Sequence, residues 1–346
     1  MAEAAGPRSL NRRTAIGGAI LLPLASLLGC TVGSTPAKPV PTRPGDASRT
    51  GPGDFDPAAT ATILSALAAV LAHRSQMEAL TAAYPQIEAR AEQVVEMHLA
   101  HQAFLAGLLR PEDLPVAPTP APVTVDRRGL RKVVVASLAA HESTLTALAI
   151  PTPTPALARA LASIAAATAQ VAAATGWAAA SQEGTLPAEP GPVTDQERAA
   201  LQRVLQREHA SLWWYGVLGA RTSAGREPDL FGALAEGYRA HRRQRDQLDA
   251  CLRSLGVEPL AAEPAYPLTW PTRSAPQRAL AAGAIEHDAA ATYGWMVAQI
   301  SVLDKAANRA LMRHWAVTAL RNAAIRELVG QETPEKFPGA DEIAER

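Results

Sequence analysis

The sequence predicts an all-α protein, built as two tandem four-helix bundles with a long crossover between the second and third helices of each. Three observations carry this. The 346 residues are 48% hydrophobic but only 4% aromatic, and alanine-rich runs alternate with clusters from a total of 28 prolines, a mix of strong helix formers and breakers. Apolar residues recur three and four residues apart, as a helix does when it turns one stripe toward a core. A phrase also repeats: Glu96-Met-His-Leu-Ala-His101 matches Glu236-Gly-Tyr-Arg-Ala-His241, 140 residues on (236−96).

The amino terminus reads as an address. Residues 1–29 carry Arg12-Arg13, the apolar run Ile16–Leu28 and then Leu27-Leu28-Gly29-Cys30, the layout of a secretory signal. The arginine pair resembles a twin-arginine export signal. Leu-Leu-Gly-Cys resembles a bacterial lipobox, which implies cleavage before Cys30 and lipidation of its thiol. Residues 30–56 are rich in Pro, Gly, Ser and Thr without apolar periodicity, a composition expected of a disordered tether.

The first bundle spans 57–184. Its first helix runs from Pro57 to about Ala83 on the seam Ile63, Leu67, Val70, Met77 and Tyr84. The second carries Ile87, Ala91, Val94, His98, His101, Leu105 and Leu108. Pro-rich Pro111–Val125 follows, then a third helix with Val134, Leu138, His141 and Leu145, and a fourth from Ala156 to about Ala180. His98, His101 and His141 fall on seams but read as core or partly exposed histidines, because the apolar fourth helix offers no ligand.

Residues 185–193 form a linker, and 194–330 a second bundle. Thr194-Asp-Gln-Glu197 is a capping box opening a helix with Leu201, Val204, Leu205, Glu208, Leu212 and Tyr215 inward. The next helix sets Phe231, Leu234, Tyr238, His241, Arg245, Leu248, Leu252 and Leu255 on one seam. After the irregular Gly256–Ala275, a third helix carries Ala282, Glu286, Ala290 and Tyr293, and a fourth Ala307, Leu311, His314, Thr318 and Ile325. The tail, 331–346, is polar and expected to be loose. A helix of about 24 residues is roughly 36 Å long, and fifteen or more extended residues cover that distance. Two long middle connections therefore point to a crossover along each bundle, the ferritin-like connectivity.

Around Arg207-Glu-His-Ala210 and Ala284-Ile-Glu-His-Asp288, the stretch Asp195–Leu328 resembles secreted bacterial proteins with ferritin-like domains of uncharacterised function, and Pro57–Ala180 does so more loosely. The resemblance implies helical bundles and, at most, a metal site. Each helix of the second bundle offers one inward candidate: Glu208, His241, Glu286 and His314. Ferritin-like di-iron sites use a Glu on two helices and Glu-x-x-His on the other two. Here the positions three before the histidines hold Tyr238 and Leu311. Two carboxylates and two imidazoles could still hold a single Fe, Mn or Zn ion. The competing reading is a hydrogen-bonded core network, with Arg245 on the same seam.

Other features read as structural. Trp213, Trp214, Tyr215, Trp295 and Trp315 fill the second core, and Cys251 is a buried thiol. Arg239, Arg242, Arg243 and Arg245 make a basic helix face that could meet anionic lipid headgroups. Zero formal net charge argues against a nucleic-acid partner. No phosphate loop, nucleophile elbow, Cys-x-x-Cys or His-Glu-x-x-His occurs. The expected protein is held on the extracytoplasmic face of the cell membrane through Cys30. It is either a non-catalytic module binding an envelope protein or cell-wall component, or a metal-binding, oxidase-like protein.

Overall fold

The computed structural model describes residues 55–120, 125–178, 184–303, 307–331 and 333–344. Arg12, Arg13, Cys30 and the tether up to residue 54 lie outside the described residues. The described chain is all-α, with no strand: α1 Pro57–Ala83, α2 Glu88–Ala106, α3 Arg127–Ala149, α4 Pro155–Ala174, α5 Asp195–Ala220, α6 Pro228–Ser254, α7 Ala275–Gln299, α8 Ala307–Glu327 and the single turn α9 Asp341–Ala344.

Local chemistry sets the boundaries. Asp56 caps α1 by accepting from Ala59 N at 2.7 Å, and Asp126 does the same for α3 through Gly129 N. Thr194 and Glu197 form the expected reciprocal box, and Ser274 and Gln277 form another on α7. The fourth helix stops at Ala174, six residues short of expectation. Gly176 adopts φ +72°, and Trp177 N returns to Ala172 O at 2.7 Å, a left-handed glycine termination.

The core shows which way each helix runs. Residues late in α1 (Met77, Leu80) share a cluster with early α2 (Ile87, Ala91), early α3 (Leu130, Val134) and late α4 (Val171). Early α1 meets late α2, late α3 and early α4 at the other end. So α1 and α4 run one way, α2 and α3 the other, and the end of α2 and the start of α3 lie at opposite ends of the bundle. The second bundle repeats this: Tyr215 late in α5 meets Leu234 early in α6 and Ile285 early in α7. Residues 256–274 are its crossover. Trp214 Nε1 donates to Pro267 O at 3.0 Å and Arg207 stacks over Trp214, so the half-buried Trp213 and Trp214 hold that crossover rather than fill the core. Trp315 and Tyr215 are buried as expected.

The two bundles share one core. Fifteen of the 20 residues of α4 are buried, and α4 packs against α7 and α8 as well as its own bundle. An alanine-rich helix apolar on all sides suits this place, because small side chains let neighbours approach on every face. Arg313 of α8 is buried and donates to Ile150 O at 2.9 Å and Thr152 O at 2.5 Å, carbonyls at the end of α3 that attract a cation.

The tail departs from expectation. Instead of lying loose, it straps both bundles together. Arg159 donates to Gly339 O at 2.6 Å, Ser163 to Pro338 O at 2.9 Å, and His101 to Lys336 O at 2.7 Å. Phe337 is buried against His101 and Phe104. Counting polar residues missed it, because the tail's polar groups turn inward: its carbonyls accept from Arg159, Ser163 and His101, and Glu335 and Asp341 face His287. Phe337→Ala should therefore cost about 3–5 kcal/mol in urea denaturation, whereas a loose tail would register within about 0.5 kcal/mol.

Candidate functional site

Three of the four residues expected in the second bundle converge. Glu208 (α5), His241 (α6) and Glu286 (α7) are all 0% exposed. His241 Nδ1 lies 2.8 Å from Glu208 Oε2, and Nε2 lies 3.1 Å from Glu286 Oε1. Tyr215 OH donates to Glu286 Oε1 at 2.6 Å, and Tyr293 OH donates to Glu208 Oε1. The fourth corner is Arg326, whose Nε and Nη2 grip Glu286 Oε1 and Oε2 at 2.8 and 2.9 Å.

His314 is not in this layer. Antiparallel α7 and α8 approach closely where a Cβ on Gly283 would stand 3.0 Å from Gly330 Cα and 3.1 Å from Glu327 O, and His287 Nδ1 lies 3.0 Å from Glu327 Oε1, so Glu286 is level with Arg326 and Glu327. His314 sits 12 residues before Arg326 (326−314), about 18 Å along the helix at 1.5 Å per residue. Arg245, expected to support the pair, instead bonds its neighbour Asp246 at 2.6 Å. The buried stripe of α6 is Leu234, Gly237, Ala240, His241, Leu248, Cys251 and Leu252, while Phe231 and Tyr238 are exposed. Gly237 is required here: a Cβ would stand 2.5 Å from the Tyr215 ring that crosses to Glu286.

The charges close among themselves. A neutral imidazole has one N–H, yet both nitrogens of His241 face carboxylates, so the geometry calls for the imidazolium. Burial alone disfavours that cation, but Glu208 and Glu286 outweigh it and raise the His241 pKa above 6.5. Burial likewise disfavours ionised Glu286, and Arg326 and His241 overcome it to hold the carboxyl well below the usual range. Both tyrosines are pushed well above 10, by burial first and the carboxylates next, and stay neutral donors. Both His241 nitrogens face carboxylates and Arg326 holds Glu286 by two arms, the geometry of a hydrogen-bonded core network. Beside it, α6 and α8 frame a small, open polar cleft of about 100 Å³, lined in part by Glu236, Arg243, Gln244, Gln247 and Arg326.

A second constellation occupies the first bundle: His73 (α1), His98 and His101 (α2) and His141 (α3), all buried. His73 Nδ1 is 2.7 Å from His98 Nε2, and its Nε2 is 2.8 Å from Ser137 Oγ. The His73 and His141 rings stack at 4.7 Å. His98 Nδ1, His101 Nδ1 and His141 Nε2 are buried without a hydrogen-bond partner among the described residues. Burial lowers His73 and His101 to about 4, opposed at His101 by its bond to Lys336 O. Burial, then mutual repulsion, lowers His98 and His141 well below 6.5. These are neutral imidazoles. The sequence reading missed His73, although Val70, His73, Met77 and Leu80 step by three, four and three along α1.

A third cluster pins the tail. His287 Nδ1 lies 3.0 Å from both Glu327 Oε1 and Glu335 Oε1, and Nε2 lies 3.3 Å from Asp341 Oδ2. Hydrogen bonds to Asp341, Glu327 and Glu335 push His287 up to about 12. Cys251 is fully buried, and burial pushes its thiol up to about 11, which suits an inert core cysteine.

Arg326→Leu would leave Glu286 short of its cation and should cost about 3–5 kcal/mol, read by urea denaturation. A pH series tests the imidazolium. Because the folded pKa of His241 is raised above 6.5, its stabilisation is complete below about pH 6.5 and is lost as pH rises through the folded value. The stability gap between the native protein and His241→Gln should shrink on that alkaline side; a gap constant from pH 5 to 9 would contradict it.

Residues 200–342 match the family described as a domain of unknown function, DUF4439. The chain matches no curated protein and no solved structure. The family match covers the second bundle, the charge network and the docked tail, and leaves the histidine cluster outside it.

Proposed function

We propose that the protein is a lipid-anchored, extracytoplasmic module in which tandem ferritin-like bundles act as a non-catalytic binding scaffold of the cell envelope. The observation that carries this reading is Arg326 bound to Glu286 by both guanidinium arms. In a ferritin-like bundle the central carboxylates and histidines serve a metal; here a cation belonging to the chain occupies that role. The same observation counts against an oxidase-type Fe, Mn or Zn centre at Glu208, His241 and Glu286, and His314 is not there to supply a fourth ligand. Up-down-down-up connectivity with a long second connection supports the ferritin-like assignment. Cys30 after an apolar run supports the anchor, and Arg12-Arg13 supports twin-arginine export. The cleft between α6 and α8 is where we place binding of an envelope protein or cell-wall component. Its walls include Glu236 and Gln244, groups that hydrogen-bond polar ligands.

Two measurements test this. Mass spectrometry of the mature amino terminus should find diacylglyceryl on Cys30, and Cys30→Ser should release the chain from membranes; an uncleaved, unmodified chain would sink the anchor. The released chain should then co-sediment with isolated cell envelopes, and Glu236→Lys should reduce that several-fold without lowering the melting temperature. Co-sedimentation indifferent to Glu236→Lys would remove the cleft from the reading.

A further inference from the structure

We infer that the first bundle holds a metal site of its own, in which His73, His98 and His141 bind one late first-row metal ion, monovalent copper in preference to zinc. One nitrogen from each of the three lies within 4.8 Å of the other two. They come from three different helices, α1, α2 and α3, so the bundle rather than a local loop sets the geometry. Ligands about 2.0–2.1 Å from one ion stand roughly 3.3–3.5 Å apart. The pair at 2.7 Å thus opens by less than 1 Å, and the third nitrogen needs to close in by about 1 Å or so.

The hydrogen bonds arrange the donors. His73 Nε2 lies 2.8 Å from Ser137 Oγ; the tautomer that donates there is the one that turns the Nδ1 lone pair toward His98, and it is the tautomer the site would use. A ligating histidine is typically held in this way through its other nitrogen. His98 Nδ1 and His141 Nε2 are buried polar atoms that no described protein group satisfies. Leaving such atoms unpaired is unfavourable; coordination through Nε2 would satisfy His141, while His98, whose Nε2 faces His73, would ligate through that atom and keep its proton on Nδ1. Each imidazole keeps one N–H on its remote nitrogen, so binding releases no proton. His73 and His141 are each 5% exposed, and Ser137 is half-buried, which gives an entry between α1 and α3.

Charge selects the ion. Imidazole suits both zinc and copper. The groups acting on His98 are the other histidines and Arg74, with no carboxylate among them. Arg74 is partly engaged by Glu78 at 3.5 Å and Gln102 at 2.7 Å. The cost of placing an ion in such surroundings grows with the square of its charge. A monovalent ion therefore incurs about a quarter of the penalty of a divalent one. His287, Glu327 and Glu335 also bring donor atoms together, but there the imidazole is already engaged by carboxylates on both nitrogens.

The test is an anaerobic titration of the purified full chain with copper(I) against a bicinchoninate competitor, with a parallel zinc titration. Cys30→Ser and Cys251→Ser together remove the thiols as rival ligands. One copper per chain is expected, and copper X-ray absorption should show three nitrogen ligands near 2.0 Å and no sulfur. His98→Gln or His141→Gln should weaken binding at least 100-fold, while His241→Gln in the other bundle leaves it unchanged. If a histidine variant fails to fold by circular dichroism, the ligand count in the parent chain still decides. No stoichiometric copper, binding that survives His98→Gln, a sulfur ligand, or zinc bound more tightly than copper would each overturn the assignment.

Discussion

Everything in this fold is arranged around the burial of α4. A helix covered on nearly every side needs neighbours on every side, and four helices of one bundle cannot provide them. The second bundle provides the rest, through α7 and α8. Alanine at most of the contact positions keeps the approach close, and the few polar side chains on α4 are engaged rather than stranded. Gln170 donates to Ala324 O at 2.8 Å and accepts from Glu335 N at 2.7 Å, and Thr168 and Thr175 bond back to their own helix. Once α4 is shared, the bundles cannot separate without exposing an apolar surface, and the tail strap and Arg313 reinforce a contact already made.

Within that shared frame, the two bundle centres solve the same problem in opposite ways. Each buries titratable side chains where no water competes. The second bundle balances charge against charge, so each ion is stabilised by its neighbours. The first buries imidazoles with no counter-charge, and they remain neutral. One centre therefore has its donors and acceptors matched internally, and the other retains lone pairs.

The fold class, the long middle connections and the Thr194 capping box were legible because they rest on local signals: proline spacing, Thr194-x-x-Glu197 and seams of period 3.6. Glu208, His241 and Glu286 were legible for the same reason. Arg326 was not, because its place depends on α8 running antiparallel to α7 and bringing its last turn beside Glu286. Depth counted from each helix start cannot supply that. Phe231, Tyr238 and Arg245 lay on a plausible stripe of α6, but the glycine at 237, accommodating Tyr215, turns the buried face toward Gly237 and Ala240. His73 was within reach of the pattern and was passed over by tracing the seam from Val70 straight to Met77. Docking of the tail was illegible, since backbone carbonyls such as Gly339 O and Lys336 O leave no trace in residue type, and the partner of Glu335 and Asp341, His287, lies on a helix about 50 residues earlier.

The repeated phrase shows how far duplication constrains these centres. His101 and His241 occupy corresponding places and are both fully buried, but His101 spends its Nε2–H on a tail carbonyl while His241 spans two carboxylates. His98 is buried, and its counterpart Tyr238 is exposed. The difference follows from the neighbours. In α6, Gly237 admits the Tyr215 ring, whose hydroxyl completes the Glu286 network; in α2, the matching Met97 is itself buried in the core and His98 turns inward beside it. A single glycine-for-methionine difference at matched positions thus accompanies the choice between a charge-filled centre and an imidazole-lined one.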